Sequence, residues 1–282
     1  MSISIKNLTH IYDPTSPFKV DALNSVSLSV ADGEYLAIIG HTGSGKSTLV
    51  QHLNGILKPT SVEEMMIEGI DLTEKKPDYK TLRQRVGMVF QYPEYQLFAE
   101  TVFDDIAFGP KNMGFDDEEI KNRVKESMAL VKLPESVSEM SPFELSGGQK
   151  RRAAIAGVLS MRPKVLVLDE PIAGLDPLGK AEILSLIREY REKYSATVIM
   201  ISHNMDDIVE EADRVIVMHK GTKALDGTPQ EVFSLWTKIE ELGLELPTVC
   251  ALNKALNGKG IKIPSEICRI DELVQFLWEV KK

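Results

Sequence analysis

The amino-acid sequence predicts an α/β fold in which helices cover a parallel sheet. From residue 164 onward, apolar runs of strand length alternate with segments of helical periodicity, which is typical of parallel sheets buried on both faces. Upstream, the apolar run 35–39 ends in a glycine-rich loop. Residues 47–57 then place apolar side chains on one helical face, up to Lys58-Pro59.

The remaining elements follow in chain order. Residues 3–39 carry short runs with alternating apolar side chains, which predict strands. Residues 92–150 change to helical periodicity, with an acidic start at 116–119 that suits a helix N-terminus. Residues 228–231, Thr-Pro-Gln-Glu, have the capping-box pattern and predict the start of a helical tail. After 164 we predict strands at 165–168, 197–201 and 215–218, and helices at about 177–193 and 204–211.

The composition limits the classes of protein that this chain can represent. Of 282 residues, 43% are hydrophobic and 27% are charged, as in ordinary folded globular proteins. No apolar run approaches the about 20 residues of a spanning helix, and residues 1–6 lack a signal-peptide pattern, so we expect a cytosolic chain. The net charge of -9 argues against a nucleic-acid partner. The cysteines, Cys250 and Cys268, are too few to staple a large domain and are expected to be reduced.

Residues 40–47 match the phosphate-binding pattern G-x-x-x-x-G-K-[ST], between a predicted strand and a predicted helix. In this pattern, glycines let backbone N–H groups face phosphates, and the helix adds its positive N-terminal end. Lys46 would neutralise the outer phosphates of ATP, and the Ser47 hydroxyl would ligate Mg²⁺. An ordinary glycine-rich turn is the alternative, but the context matches the pattern. The predicted nucleotide-binding residues of this segment are Gly40, His41, Thr42, Gly43, Ser44, Gly45, Lys46, Ser47 and Thr48.

A second chemical signal is the apolar run 165–168, which ends in the carboxylates Asp169 and Glu170. Phosphoryl transfer with Mg²⁺ needs one group that holds the ion and one that orients or deprotonates the attacking water. We assign Asp169 to the metal and Glu170 to the water. Taken alone, such a pair is more typical of a strand that meets a solvated turn. The phosphate-binding pattern upstream favours the catalytic interpretation.

Residues 145–149, Leu-Ser-Gly-Gly-Gln, open a segment of helical periodicity, so that serine and glycine N–H groups would face an anion. A plain helix cap with flexible glycines is the alternative. The pentapeptide, extended as S-G-G-Q-K-R-R, resembles the signature sequence of ABC ATPases. The predicted signature residues are Leu145, Ser146, Gly147, Gly148 and Gln149.

The resemblance to ABC ATPases covers about residues 3–230. It implies a P-loop NTPase fold with a RecA-like core, an antiparallel β subdomain and an α-helical subdomain at about 92–160. The ABC ATPase domain would then occupy 1–235, and 236–282 would form a C-terminal helical extension. The sequence departs from the family at Ile172, where threonine is common, and at 61–64, which replace the usual S-G-x-I turn.

Other family motifs have counterparts in the sequence. Gln91 resembles the Q-loop glutamine, which contacts Mg²⁺ and couples the site to the helical subdomain. Asp176 ends the D-loop run A-G-L-D, and His203 resembles the switch histidine at the γ-phosphate. Tyr12 resembles the aromatic residue that stacks on adenine, although the segment 14–17 blurs its register. By themselves, His203 would be typical of a solvated or structural histidine and Tyr12 of ordinary packing.

The family arrangement implies that each ATP site is completed in trans, with the phosphate loop of one subunit facing the signature of the other. Residues 91–102, Q-Y-P-E-Y-Q-L-F-A-E-T-V, resemble the ATPases of energy-coupling factor importers, and more closely the second, A-prime type of the heteromeric pair. This implies a paralogous ATPase, a membrane coupling subunit and, indirectly, a substrate-binding membrane subunit as partners, at the cytoplasmic face of the membrane. The residues expected to line a groove for a coupling helix, or else to be core residues, are Tyr92, Tyr95, Leu97 and Phe98.

Two other functions stay open. An ATPase of another ABC importer, for example a cobalt or nickel system, would share every catalytic motif. A soluble ABC protein of translation or repair would usually carry two cassettes or a long coiled-coil insertion, and this sequence has neither. Apolar residues at helical spacing in 271–280 predict a final helix that packs on its own cassette or on the partner ATPase.

Overall fold

The computed structural model describes residues 1–280. Its strands are β1 (Ile3–Tyr12), β2 (Val20–Val30), β3 (Tyr35–Ile39), β4 (Glu64–Ile67), β5 (Ile70–Asp71), β6 (Val86–Val89), β7 (Val165–Asp169), β8 (Thr197–Ile201), β9 (Arg214–His219) and β10 (Thr222–Gly227). Its helices are α1 (Lys46–Leu53), α2 (Tyr79–Arg85), α3 (Val102–Met113), α4 (Asp117–Leu130), α5 (Gly147–Leu159), α6 (Pro177–Tyr194), α7 (Met205–Glu211), α8 (Pro229–Ser234), α9 (Trp236–Glu241), α10 (Thr248–Gly258) and α11 (Ile270–Val280).

The central sheet has six strands in the order β10-β9-β3-β8-β7-β6. Pairing is parallel from β9 through β3, β8 and β7 to β6, which confirms the predicted parallel sheet. The sequence prediction missed β10, which forms a hairpin with β9 and pairs antiparallel to it. As an edge strand β10 is only half-buried, so it lacks the continuous apolar run that marks the inner strands.

Alternate side chains of the central strands belong to two separate cores, one on each face of the sheet. Ala37 and Leu168 belong to the core that includes residues of helices α3 to α9. Ile38 and Val167 pack with α1 and the N-terminal strands. All residues of β3, β7 and β8 are buried, because both faces of these strands are covered.

A second sheet, with the order β2-β1-β4-β5, is antiparallel throughout and forms the predicted antiparallel β subdomain. The pairing of β1 with β2 shifts register on both sides of His10, before the strands end at the pair Tyr12 and Val20. Such irregularities change the direction of side chains along a strand. They lie at the end of β1 that approaches α1.

Helices α3, α4 and α5 pack together and form the predicted α-helical subdomain. Asp116 caps α4 by accepting a hydrogen bond from the Glu119 backbone N–H at 2.9 Å, as its acidic start predicts. A capping box between Thr228 and Glu231 opens α8, which confirms the predicted start of the tail helices. Within residues 1–280, every helix is too short or too polar to cross a membrane.

The C-terminal tail packs partly on the main core and partly on itself. Ile239 and the buried free thiols Cys250 and Cys268 belong to the main core. A small separate cluster is formed by Val249, Ile263 and Leu273. The other side of α11 leaves apolar residues exposed, namely Val274, Leu277 and Trp278.

The first helix is shorter than predicted. It was expected to span 47–57, but α1 ends at Leu53, and Gly55 has a φ of 67°. A side chain at this position would strain the backbone, and a Cβ atom there would lie 2.6 Å from the ring of Tyr79. The apolar spacing that extended the prediction therefore continues into a turn.

This turn yields a prediction about stability. Gly55→Ala should lower the free energy of unfolding by roughly 2–4 kcal/mol, because left-handed strain adds to the clash with Tyr79. Gly114→Ala is the matched control, since Gly114 has a φ of 85° and open space around its Cβ position. The control should lose only about 1 kcal/mol. Equal losses in urea unfolding would contradict the role given to Tyr79.

Candidate functional site

The candidate site lies where four neighbouring parallel strands end. Gly40 follows β3, Gln91 follows β6, and Asp169 ends β7. His203 comes two residues after β8, the strand between β3 and β7. Because parallel strands place their carboxyl ends at one edge, the fold collects these motifs from four distant parts of the sequence.

The phosphate loop connects β3 to α1. Gly45 is the N-cap of α1 and has a φ of 100°, and a Cβ atom there would lie 2.6 Å from the Ala22 carbonyl oxygen. The loop is held by a hydrogen bond from the Ser44 backbone N–H to the His41 carbonyl and by one from Gly221 N–H to Ser44. Thr42, Gly43 and Ser47 are exposed, so the loop is open to a ligand at the helix N-terminus.

The Lys46 ammonium group curls back onto the loop. It donates to the Gly40 carbonyl at 2.6 Å and to the His41 carbonyl at 2.8 Å. Burial lowers the pKa of Lys46, and the charges of Glu170 and Asp169 oppose this shift. A cation held only by carbonyl groups and two nearby carboxylates fits a site for the negative charge of phosphates.

Asp169 is the buried carboxylate of the site, with 8% of its surface exposed. Burial raises its pKa, while a hydrogen bond from the Ser47 hydroxyl, among other effects, lowers it. Oxygen donors of this kind, carboxylate and hydroxyl, are what Mg²⁺ prefers. The pair therefore fits a Mg²⁺ ion that arrives with a nucleotide.

Glu170 and His203 form a direct pair. The distance between His203 Nε2 and Glu170 Oε1 is 2.7 Å. Glu170 has a φ of 53°, an uncommon value for a residue other than glycine, and its N–H donates to the Ile201 carbonyl at 3.1 Å. This left-handed backbone conformation thus occurs at the residue whose carboxylate contacts His203.

Gln91 is exposed at the start of the segment that joins β6 to α3. β6 runs parallel to β7, with Val89 opposite Leu168. Gln91 therefore leaves the sheet beside Asp169 and Glu170. Its place is compatible with a contact to the nucleotide or its ion.

The signature residues begin α5. Ser146 caps the helix in a capping box with Gln149, and Leu145 is buried as an anchor. Gly147 and Gly148 are exposed, neither has a positive φ, and a Cβ atom on either would meet nothing within 4 Å. The fold of this chain thus gives no packing or backbone reason for these two glycines. Within residues 1–280, no hydrogen bond joins the signature to the phosphate loop.

Tyr12 lies beside the beginning of α1. Its hydroxyl is 3.2 Å from Thr48 Oγ1, and 38% of its surface is exposed. Asp176 caps α6 by accepting from the Gly179 N–H at 2.7 Å. Tyr12 thus has an exposed ring next to the phosphate loop, whereas Asp176 has a structural contact that the sequence prediction did not include.

Sequence reasoning missed a buried ion pair that connects three of the motif segments. Arg151 on α5 lies 3.3 Å from the Glu94 carboxylate, three residues after Gln91, and donates to the Ala173 carbonyl at 2.9 Å. Only 5% of the Arg151 side chain is exposed. The run K-R-R after the signature was the available signal, but a charged run usually marks a solvated surface.

A groove lies between α1–α2 and the helical subdomain. It is a cavity of about 670 Å³. Phe98 and Phe108 stand in it edge to face, with ring centroids 5.1 Å apart, and are 62% and 50% exposed. Leu97 also lines it but is only 9% exposed, so it is mainly a core residue. Tyr92 and Tyr95 are exposed on the connecting segment.

Comparison with known proteins agrees with these motifs. Residues 23–173 match the ABC transporter family model. The chain is 53% identical to the energy-coupling factor transporter ATP-binding protein EcfA2 of Caldanaerobacter subterraneus subsp. tengcongensis, over 96% of this chain and 95% of the relative.

Two solved structures are similar over most of their length. cbiO1 from Clostridium perfringens, part of the ABC transporter complex cbiONQ, has a TM-score of 0.73 and 38% identity, and the match covers 90% of this chain and 98% of that one. A dimeric ATP-binding cassette in a post-hydrolysis state with ADP and Pi has a TM-score of 0.72 and 27% identity, with 80% and 98% covered. The chain therefore belongs to the family of energy-coupling factor transporter ATP-binding proteins, the ATP-hydrolysing subunits of these ABC transporters.

Proposed function

We propose that this chain is one of two unlike ATPases of an energy-coupling factor importer and forms two composite ATP sites with its paralogue. The observation that carries this proposal is the exposed pair Gly147 and Gly148, which the chain's own fold does not require. Glycine there allows a partner's phosphates to approach the backbone at the N-terminus of α5. The solved dimer of a similar cassette with ADP and Pi supports pairing of two such chains.

At each composite site the nucleotide is bound by one chain and enclosed by the other. The phosphate loop, with Lys46, holds the phosphates, and Tyr12 stacks on adenine. Asp169, Ser47 and Gln91 would hold a Mg²⁺ ion, which would supply positive charge against the phosphates. Ser146 and the glycines after it face the phosphates of the partner's ATP, next to Asp176. This chain supplies every motif of its half of each site, and the proposal assigns ATP hydrolysis to both sites.

Glu170 and His203 supply the proton chemistry. Glu170 orients the attacking water and accepts its proton, and His203 contacts the γ-phosphate. The two side chains are close enough to act together, since His203 Nε2 lies 2.7 Å from Glu170 Oε1.

The groove at Phe98 and Phe108 receives a helix of an integral membrane coupling subunit, and a separate membrane protein captures the substrate. Support comes from two half-exposed aromatic side chains in a cavity of about 670 Å³, next to the segment that begins at Gln91. Binding there holds the chain at the cytoplasmic face of the membrane. We place the ABC ATPase domain at 1–235 and the helical extension at 236–282, supported by the separate cluster of Val249, Ile263 and Leu273.

Lys46→Ala should weaken ATP binding by roughly ten- to a hundredfold, because it removes a charged donor from the outer phosphates. Titration of the purified chain with ATP and Mg²⁺ measures the change. Lys259→Ala removes the same charge from the exposed connection between α10 and α11 and serves as control. Unchanged affinity in Lys46→Ala would refute the assignment of the phosphate site.

Glu170→Gln should keep ATP affinity and lower kcat by roughly 10²- to 10⁴-fold, because the amide cannot accept the proton of water. The readout is ATP turnover of the assembled complex together with trapped, unhydrolysed ATP. Glu192→Gln on the exposed face of α6 makes the same exchange outside the site. Normal turnover in Glu170→Gln would exclude Glu170 as the base.

Phe98→Glu should weaken assembly with the membrane subunits by roughly thirtyfold or more, since it places a charge where an aromatic anchor packs. ATP binding by the isolated chain should stay unchanged. Phe18→Glu, at a side chain that is 86% exposed on the β1–β2 connection, is the control.

Co-expression with the paralogue and the membrane subunits, followed by complex recovery and uptake, is the measurement. Wild-type assembly of Phe98→Glu would refute the groove. A fully active homodimer of this chain on the membrane subunits would refute the unlike pair and favour a generic ABC importer.

A further inference from the structure

A pair of buried histidines lies behind the exposed face of Tyr12. His10 is two residues before Tyr12 on β1, and the two rings meet edge to face, with centroids 4.5 Å apart and planes at 78°. His52 on α1 is fully buried, and its Nε2 lies 3.2 Å from His10 Nδ1. These three rings connect the antiparallel sheet to the helix that follows the phosphate loop.

The hydrogen-bond partners fix the proton on each ring. His52 Nδ1 faces the Thr48 carbonyl at 2.7 Å, and a carbonyl only accepts, so Nδ1 carries the hydrogen and Nε2 is the acceptor. His10 Nδ1 faces that acceptor and the Lys58 carbonyl at 3.1 Å, so it too carries a hydrogen. Burial lowers the pKa of His52 to about 4, so this ring is neutral at neutral pH.

This arrangement leaves His10 little freedom. Its ring is 7% exposed, and its nitrogen atom Nε2 is buried without a hydrogen-bond partner. The ring is held from one side by His52 and Lys58, and its other contact is the ring of Tyr12. His52, in turn, is bonded to Thr48, whose hydroxyl lies 3.2 Å from the Tyr12 hydroxyl. Tyr12, His10, His52 and Thr48 thus contact one another in sequence, and the last contact returns to Tyr12.

We infer that His10, braced by His52, is a positioning residue that sets the ring of Tyr12 for the adenine base of ATP. An exposed tyrosine near the end of a strand would otherwise sample several rotamers, and fixing them before the base arrives reduces the entropic cost of stacking. The inference rests on the proposed role of Tyr12. The register irregularities around His10 agree with this role, because they interrupt the regular pairing of β1 with β2 where the His10 and Tyr12 side chains contact α1.

The test compares ATP with inorganic tripolyphosphate, which has the phosphates but no base, on the purified full-length chain in the presence of Mg²⁺. His10→Ala should weaken ATP binding roughly three- to tenfold, the range of one aromatic contact, and change tripolyphosphate binding less than twofold. His10→Phe keeps a buried aromatic ring against Tyr12, although a larger one, and loses both hydrogen bonds. It should fall between wild type and His10→Ala.

A double variant separates this inference from the role of Tyr12. Tyr12→Ala should weaken ATP binding, and adding His10→Ala to it should cause no further loss, because His10 acts through Tyr12. If Tyr12→Ala leaves ATP affinity unchanged, the adenine-stacking role itself fails. If Tyr12→Ala weakens ATP binding but His10→Ala and His10→Phe do not, only the positioning role fails. Parallel loss of ATP and tripolyphosphate binding in both His10 variants would show a general structural effect and would overturn the inference.

Discussion

The parallel hydrogen bonding of β3, β8, β7 and β6 determines where every charged group of the site lies. Parallel strands need covered faces, and here alternate side chains of β3, β7 and β8 supply two apolar cores, so that Asp169 at the end of β7 is the first charged residue in these strands. The charged and polar motifs are therefore confined to the carboxyl ends of the strands. Gly40, Gln91, Asp169 and His203 become neighbours for this reason, although more than 160 positions separate the first from the last.

The electrostatics of the site follow from that position. Lys46 and Asp169 are held at the boundary between core and solvent, where burial lowers the pKa of the first and raises that of the second. Both pKa shifts thus favour the neutral form of the group. A nucleotide bound with Mg²⁺ at the proposed site would supply the opposite charge to each of them at once. The proposed ligand thus gives a reason for polar groups that are costly to bury.

Much of the fold and the site was predictable from the sequence because the signals are local. Strand-loop-helix periodicity located the phosphate loop, and carboxylates after an apolar run located Asp169 and Glu170. Contacts between distant segments were not predictable in this way. The bond of His203 to Glu170, the pair of Arg151 with Glu94, and the packing of His10 on Tyr12 depend on how separate elements meet. The hairpin strand β10 was not predicted, because a half-buried edge strand has only a weak alternation of apolar and polar residues.

The ion pair of Arg151 and Glu94 constrains how the segment after Gln91 can move. The exposed fractions are 5% for the Arg151 side chain and 21% for the Glu94 side chain, so removing Glu94 would leave a buried guanidinium without this counterpart. Since Arg151 also holds the Ala173 carbonyl, the chain at 92–96 cannot separate from α5 without leaving a guanidinium desolvated. The segment 92–96 is therefore tied to α5 and, through Arg151, to the turn before α6.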